Sequence, residues 1–369
     1  VIAVERLELL ALRVTHRTVW HVVRVTDDDG RTGLGECSDA GPALAAAWRS
    51  AQQLIRAGHA DLATAVTCLR AQCLVEPDPD RRLALATVCG GLDQAHADLA
   101  ARRADQPVWQ WLGGEEPRPV PRYANINRAL GERRPDDFAA VAAAAVRDGF
   151  TGVKCAPFDG LTGADRVRQG LDRIKAAREA IGPEIELMLD AHHLIGPPEA
   201  LAVADELAEL GLRWLEDAVV LDDPDGLANL HRAGIAPLAG GEFAFDVAEV
   251  RPALDSGRLA YLMPDVKHAG GITGALRLAR AAQEAGVTVS LHNPSGPVAT
   301  AAGLHLAAVC GGATETEFAY GEVAWRPSTL RPPEPVSGAW LPVPTGPGLG
   351  VQLADETLWT QETFDEPTA

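Results

Sequence analysis

The sequence predicts an α/β protein: a modified (β/α)8 barrel of the TIM type with an α+β capping domain built from the N-terminal region and the C-terminal tail. Three observations carry this. Between residues 122 and 322, eight short apolar runs alternate with amphipathic helical stretches. Before them the chain reads first as strands and then as alanine-rich helices, and after them it turns rich in proline and glycine. At 369 residues and 47% hydrophobic, the chain is long enough for one large barrel or two ordinary domains around a sizeable core.

The elements follow in order. In residues 1–36, "RTVWHVVRVT" and "RTGLGE" flank "DDDG", the pattern of strand, hairpin turn and strand. From about residue 42 to 112 the period becomes helical, and "ALAAAWRSAQQLIRAG" and "ALATVCGGLDQAHADLAARRADQPVWQWLGG" read as helices closed by glycine. The proline-rich "EEPRPVP" is a joint. It divides a capping domain, 1–118, from a barrel, 119–325, and the segment 326–369 is expected to return to the cap. The barrel runs are "RYANI" (122–126), "TGVKCA" (151–156), "IELMLD" (185–190), "LRWLED" (212–217), "PLAGGE" (237–242), "LAYLMPD" (259–265), "VTVSLH" (287–292) and "TEFAYGE" (316–322). Eight such units suit a closed parallel barrel, with an open wound sheet as the alternative.

Fifty-one acidic against 33 basic residues give a net charge of −18, which argues against nucleic acid or an anionic membrane as partner. A small anionic substrate then needs a local cation. No apolar stretch approaches the roughly 20 residues of a membrane helix, and "VIAVERLELL" lacks a basic region followed by a long apolar core, so a soluble cytoplasmic protein is expected. The cysteines at 37, 68, 73, 89, 155 and 310 show no CxxC spacing, which predicts reduced thiols rather than a zinc site.

The C-terminal ends of the runs carry Lys154, Asp190, Glu216, Glu242, Asp265, His292 and Glu317, separated by 36, 26, 26, 23, 27 and 25 residues. A βα unit averages about 30 residues in a barrel of roughly 250, so all seven should converge on the C-terminal face. Asp190, Glu216 and Glu242 become neighbours on adjacent strands. Three crowded carboxylates raise one another's pKa unless a cation neutralises them. Oxygen-only ligation favours Mg2+, with Mn2+ as the alternative. One such carboxylate could merely cap the next helix, but three in succession favour the metal. Asp265 can orient one imidazole nitrogen of His292 and leave the other as a general base; a turn histidine in "LHNPSGP" is the competing reading.

On these residues the chain resembles the mandelate racemase/muconate lactonizing subgroup of the enolase superfamily over nearly its whole length. "ADQPVWQWLGG" resembles the exit from that family's capping domain, and Asp190, Glu216 and Glu242 resemble its Mg2+ ligands. "MPDVKHAGGITG" followed by "LHNPSGPVATAAGLH" resembles its Asp/His dyad on the sixth and seventh strands. The resemblance implies abstraction of the proton α to a carboxylate with the enediolate held by Mg2+, a small-molecule carboxylate substrate, and homo-oligomeric assembly. It implies that Glu317 hydrogen-bonds the substrate carboxylate; a salt bridge at the barrel rim is the alternative.

Departures from the family narrow the reaction. Where relatives often have Lys-x-Lys, "VKCAPF" keeps Lys154 but places Ala156 second, which disfavours a two-base racemase. Lys154 is then an electrostatic partner of substrate or ligand, or an ion pair with Asp190 or Glu216. His192, two residues past Asp190, resembles the general acid of galactonate-type sugar-acid dehydratases, with a supporting role as the alternative. His193 should point elsewhere if the strand continues, and His268 in "VKHAGG" is read as supporting. Substrate contacts are expected from Asn125, Asn127 and Arg128 after the first strand and from His16 and Trp20 of the cap. The expected reaction is dehydration of a sugar acid to a 2-keto-3-deoxy acid. The alternatives are a cycloisomerase on a lactone or anhydro-sugar acid, an epimerase, and a barrel that binds without turnover.

Overall fold

The computed structural model describes residues 1–56, 61–311 and 314–364. The chain opens with an antiparallel meander of β1 (Val4–Arg13), β2 (Val19–Asp27) and β3 (Thr32–Glu36). Asp27 makes the β2–β3 turn, its Oδ1 accepting the backbone N–H groups of Asp29 and Arg31 at 3.1 and 2.8 Å. Three helices pack on this sheet: α1 (Leu44–Arg56), α2 (Leu62–Val75) and α3 (Pro79–Arg103). The glycine expected to close α1, Gly58, lies outside the described residues. Asp78 caps α3 by accepting from Arg81 N, and Pro79 sits at its first turn, where no N–H is missed. A short α4 (Val108–Trp111) leads to the barrel.

Each of the eight apolar runs contributes a parallel strand: β4 (Val120–Asn125), β5 (Gly152–Cys155), β6 (Glu186–Asp190), β7 (Trp214–Glu216), β8 (Leu238–Gly240), β9 (Leu259–Leu262), β10 (Thr288–Leu291) and β11 (Glu315–Ala319). They pair in chain order, and β11 returns to β4 with Glu317 beside Tyr123. This closes the barrel and excludes the open sheet. The crossovers are α5 (Pro135–Arg147), α6 (Arg166–Ile181), the pair α7 (Pro197–Ala202) and α8 (Ala204–Glu209), α9 (Pro224–Ala233), α10 (Val247–Asp255), α11 (Ile272–Glu284) and α12 (Pro297–Cys310). After β11, the described residues form no α-helix, only 3-10 turns at Arg326–Thr329 and Glu356–Leu358 in an extended tail, hence seven crossovers for eight strands. Among the described residues, no helix is long and apolar enough to cross a membrane.

The barrel is filled, as its apolar strands require. Tyr123, Met188, Trp214, Ala239 and Met263 form one buried layer, with Tyr123 edge-on to Trp214 at 5.3 Å. Polar residues at the strand ends therefore stand on a dry floor. The tail adds β12 (Leu330–Arg331), β13 (Trp340–Leu341), β14 (Gln352–Leu353) and β15 (Thr360–Gln361). β13 pairs with the start of β4 and β15 pairs with β1, so the tail touches both barrel and cap. Residues 365–369 of that tail lie outside the described residues.

The cap completes two barrel helices. α11 and α12 start after Gly271 and Gly296, which offer no side chain to the exposed N–H groups. Asp93 of α3 accepts from Thr273 N at 3.1 Å and Thr273 Oγ1 at 2.6 Å. Glu36, at the end of β3, accepts from Gly296 N and Ala299 N at 2.7 and 2.9 Å. Carboxylates at helix N-termini also meet a favourable dipole, so charge and hydrogen bonding fix the docking together. Two buried histidines hold the same seam: His305 Nδ1 accepts from Trp109 N at 3.2 Å, and His268 Nδ1 lies 3.0 Å from Thr87 Oγ1.

Burial lowers the His305 imidazole from its ordinary 6.5 to about 4, so the folded chain holds it neutral. A depressed folded pKa contributes stability that is complete above pH 6.5 and lost as pH falls through about 4. The contribution is on the order of 3 kcal/mol. His305→Asn keeps an acceptor for Trp109 N without the titration. Urea unfolding from pH 7 to pH 4 is expected to show a shallower loss of stability in the variant than in the wild type, and parallel curves would refute this account.

Candidate active site

The acidic residues reach the mouth because the strands stop where they do. β6 ends on Asp190 and β7 on Glu216, while Glu242 stands two residues beyond β8. Between them Gly241 takes a φ of 102°, a conformation side-chain-bearing residues resist, and the turn delivers Glu242 over the barrel. All three carboxylates are buried, and an oxygen from each lies within 4.8 Å of the others.

Beneath them, Lys154 at the end of β5 is fully buried. Its Nζ stands 2.6 Å from Glu216 Oε1, 3.0 Å from Asp190 Oδ2 and 3.2 Å from Glu317 Oε1. Burial opposes its charge, yet Asp190, Glu216 and Glu317 outweigh burial and hold the ammonium well above its usual range. Of the expected roles, the ion pair is the geometry present. The expectation that the three carboxylates raise one another's pKa holds for Glu216, pushed up to about 8 by burial and Asp190. For Asp190 and Glu242 its proviso applies instead, because the cations Lys154 with His192, and His292, lower them against burial.

A divalent cation fits this triad. Asp190 Oδ2 and Glu242 Oε2 are buried without a hydrogen bond of acceptable geometry, although cationic nitrogens stand near both. Such oxygens, joined by a third carboxylate and no sulfur, are the donor set of a hard, oxygen-seeking ion such as Mg2+.

His292, one residue past β10, points into the same space. Its Nδ1 donates to Asp265 Oδ2 at 2.8 Å, which leaves Nε2 to face the triad, 2.7 Å from Glu242 Oε2 and 3.8 Å from Glu317 Oε2. Burial alone would depress this imidazole, but Glu242, Glu317 and Asp265 raise it well above its ordinary value. His192 approaches from the opposite end of the triad, with Nε2 3.0 Å from Asp190 Oδ2 and Nδ1 2.7 Å from Asp159 Oδ1. Against burial, Asp190 and Asp159 bring it to about 11. The strand stops at Asp190, and His192 and His193 both turn left-handed with φ of 46° and 54°. His193 therefore leaves the site for a different reason than strand alternation: its backbone N–H bonds Asp217 O at 2.9 Å and its ring lies 3.6 Å from Asp217 Oδ2.

A cavity of about 590 Å³ opens above these groups. Asp190, His192, Glu242 and His292 form its floor, Asn125, Asn127, Arg128 and Arg133 one wall, and the cap residues Thr15–Thr18 another. His16 is thus at the cavity, beside Arg17, whose Nε donates to its Nε2 at 3.1 Å. A larger cavity of about 770 Å³ lies at the other end of the barrel, where Arg213 is already paired with Glu186 and Glu315.

Several expected substrate contacts are otherwise engaged. Trp20 is a correction: it is fully buried between cap and barrel, 5.8 Å from Trp325 and under the Arg326 guanidinium, and does not line the cavity. Alternation along β2 turned it into the core. Glu317 lies below the cavity rather than at the rim, with Oε1 taking Asn125 Nδ2 at 2.6 Å and Oε2 taking Asn293 N at 2.9 Å. Asn127 Oδ1 accepts from Ala156 N at 2.7 Å. Arg128 ties Asp39 of the cap to Glu322, at 3.1 and 3.2 Å.

The strand-end reading passed over four residues: Asp159, which holds His192; Arg133, 3.4 Å from Asp159; Asp217, beside His193; and Lys267, whose ammonium meets Asp265 at 2.5 Å. Lys267 alone had a visible signal, its place two residues after Asp265 in "PDVK".

Comparison with known proteins agrees with this fold. Residues 4–113 match the mandelate racemase/muconate lactonizing enzyme N-terminal domain, and residues 137–357 match the enolase C-terminal domain-like family. D-gluconate dehydratase of Thermoproteus tenax is 28% identical over 346 residues, 91% of this chain and 68% of that protein. D-galactonate dehydratase of Ralstonia nicotianae is 30% identical over 292 residues, 77% and 75% respectively. The crystal structure of mandelate racemase/muconate lactonizing enzyme from Jannaschia sp. CCS1 superposes with a TM-score of 0.83 at 25% identity, covering 97% of this chain and 96% of that one. By both domain matches and by its closed barrel, the chain belongs to the mandelate racemase/muconate lactonizing enzymes of the enolase superfamily.

Proposed function

We propose that this enzyme dehydrates a sugar acid to a 2-keto-3-deoxy acid, with His292 as base and His192 as acid. The observation that carries the reading is the pair of carboxylate-anchored imidazoles, one at each end of the Asp190–Glu216–Glu242 triad. Relatives named D-gluconate and D-galactonate dehydratase support the substrate class.

The proton α to a carboxylate is too weakly acidic for imidazole alone, because its loss puts a second negative charge on that group. A divalent ion held by the three carboxylates would supply the positive charge that stabilises it. With Glu242 engaged by such an ion, the charge that keeps His292 protonated would be withdrawn from it, and Asp265, holding the proton on Nδ1, would leave Nε2 free to take the α proton. Asp159 fixes His192 through Nδ1 and leaves Nε2 to give its proton to the departing β-hydroxyl, which leaves as water. The enol then tautomerises to the keto acid. Ala156 offers no second base, which disfavours racemisation. Lys154 balances charge beneath the triad and takes no part in proton transfer.

Three outcomes are expected. With Mg2+, purified protein converts members of an aldonic and aldaric acid panel to semicarbazide-reactive 2-keto acids, and His292→Asn lowers kcat by about 10³-fold or more. Consumption of lactones without keto product, or α-deuterium incorporation alone in D2O, would favour cycloisomerisation or epimerisation instead. Mg2+ at about 100 times its Kd should add about 2.7 kcal/mol to wild-type stability. Glu242→Gln should lose that gain in a thermal melt; an equal gain in both proteins would remove Glu242 from the ion. Lys154→Met should cost about 3–5 kcal/mol in urea unfolding with EDTA, since it strands three buried carboxylates, and an unchanged midpoint would contradict that role.

A further inference from the structure

We propose that Lys267 is a positioning residue for the general base, clamping both oxygens of Asp265 so that Oδ2 stays on Nδ1 of His292. The inference rests on the reading of His292 as base and extends it to a residue outside the substrate cavity.

The clamp is doubly built. Lys267 N donates to Asp265 Oδ1 at 2.6 Å, and Lys267 Nζ donates to Asp265 Oδ2 at 2.5 Å, the same oxygen that accepts from His292 Nδ1 at 2.8 Å. A carboxylate held by one imidazole alone can rotate about its χ2; one held at both oxygens cannot. The lysine stem folds back over two residues instead of reaching solvent, and the whole residue is fully buried. Lysine is rarely buried without a partner, and here the partner is the aspartate of the dyad. Its ammonium does not line the cavity, so it acts through Asp265 and not on substrate.

The cap holds the clamp in turn. Gly90 of α3 presses against the Lys267 carbonyl so closely that a Cβ would fall 2.1 Å from its oxygen. Gln94 Nε2 donates to Val266 O at 3.2 Å. The charges of Asp39 and Glu36, both from the cap, also favour the ammonium. A chain of contacts therefore runs from α3 through Lys267 and Asp265 to His292.

A double-mutant cycle tests this: wild type, Lys267→Met, Asp265→Asn and the double variant, each as the full chain with Mg2+ and with D-gluconate or D-galactonate. Lys267→Met is expected to lower kcat by about 10²-fold with KM within about threefold, but to change the rate of the Asp265→Asn protein by less than about threefold. An equal loss in both backgrounds, or a Lys267→Met rate near wild type while Asp265→Asn is slow, overturns the positioning role alone. A wild-type rate in Asp265→Asn overturns the dyad reading itself. If Lys267→Met does not fold, Lys267→Gln enters the same cycle. If neither acid is turned over, the far-downfield Nδ1–H proton signal of His292, identified by its loss in His292→Asn, decides. It should move or vanish in Lys267→Met, and an unmoved signal overturns the proposal.

Discussion

Everything at the barrel mouth depends on one ammonium answering three carboxylates. Asp190, Glu216 and Glu317 come from three different strands, and each approaches Lys154 Nζ within 3.2 Å. Like charges 4 Å apart repel by about 4 kcal/mol at the effective dielectric of a protein surface, and by more in a dry site. Lys154 converts that repulsion into a network, joined by His192 beside Asp190 and His292 beside Glu242. Glu216 is left with a raised pKa, and Asp190 and Glu242 keep unbonded oxygens. Such buried, all-oxygen carboxylates are the donor set that a hard divalent ion would complete. Direct contact with Lys154 also explains why Glu317 is drawn below the cavity.

The cap is tied to this site through helix ends. α11 and α12 begin after glycines, so their first N–H groups depend on Asp93 and Glu36 from another domain. The same two helices follow β9 and β10, the strands that lead into Asp265 and His292. Docking the cap therefore does more than close the cavity: it sets the start of each helix behind the dyad. Arg128 extends the tie to the opposite wall through Asp39 and Glu322.

The sequence made the repeating part of this structure readable. One polar residue at each strand end, spaced by a βα unit, identified Asp190, Glu216, Glu242, Asp265 and His292 because a closed barrel brings equivalent positions together. What depended on distant partners could not be read. Glu317 is positioned by Asn125 and Asn293, and Arg128 by Asp39 and Glu322, pairs that no local pattern joins. Trp20 had an alternating strand around it, which fixes two faces without saying which one meets the barrel. His192 and His193 turn left-handed because Ala191 N and His193 N bond the backbone of the next strand's end, Glu216 O and Asp217 O. Lys267 was legible in principle from its place two residues after Asp265 in "PDVK", but reading one residue per strand stopped at Asp265.

The arrangement also divides chemistry from selection. The acid and base under the proposed reaction are each anchored by a carboxylate outside the Asp190–Glu216–Glu242 triad, Asp159 for His192 and Asp265 for His292. With a substrate carboxylate over the triad, the rest of a sugar chain would extend away from the closed floor, toward walls that include Thr15–Thr18 and Arg133. That region contains His16 and the exposed Arg17, which has no carboxylate partner among the described residues. Substitutions in the cap loop can therefore change which hydroxyl pattern or terminal group is accepted without disturbing either anchored histidine. Under the proposed reaction, the walls of the cavity, more than its floor, would therefore decide which sugar acid is accepted.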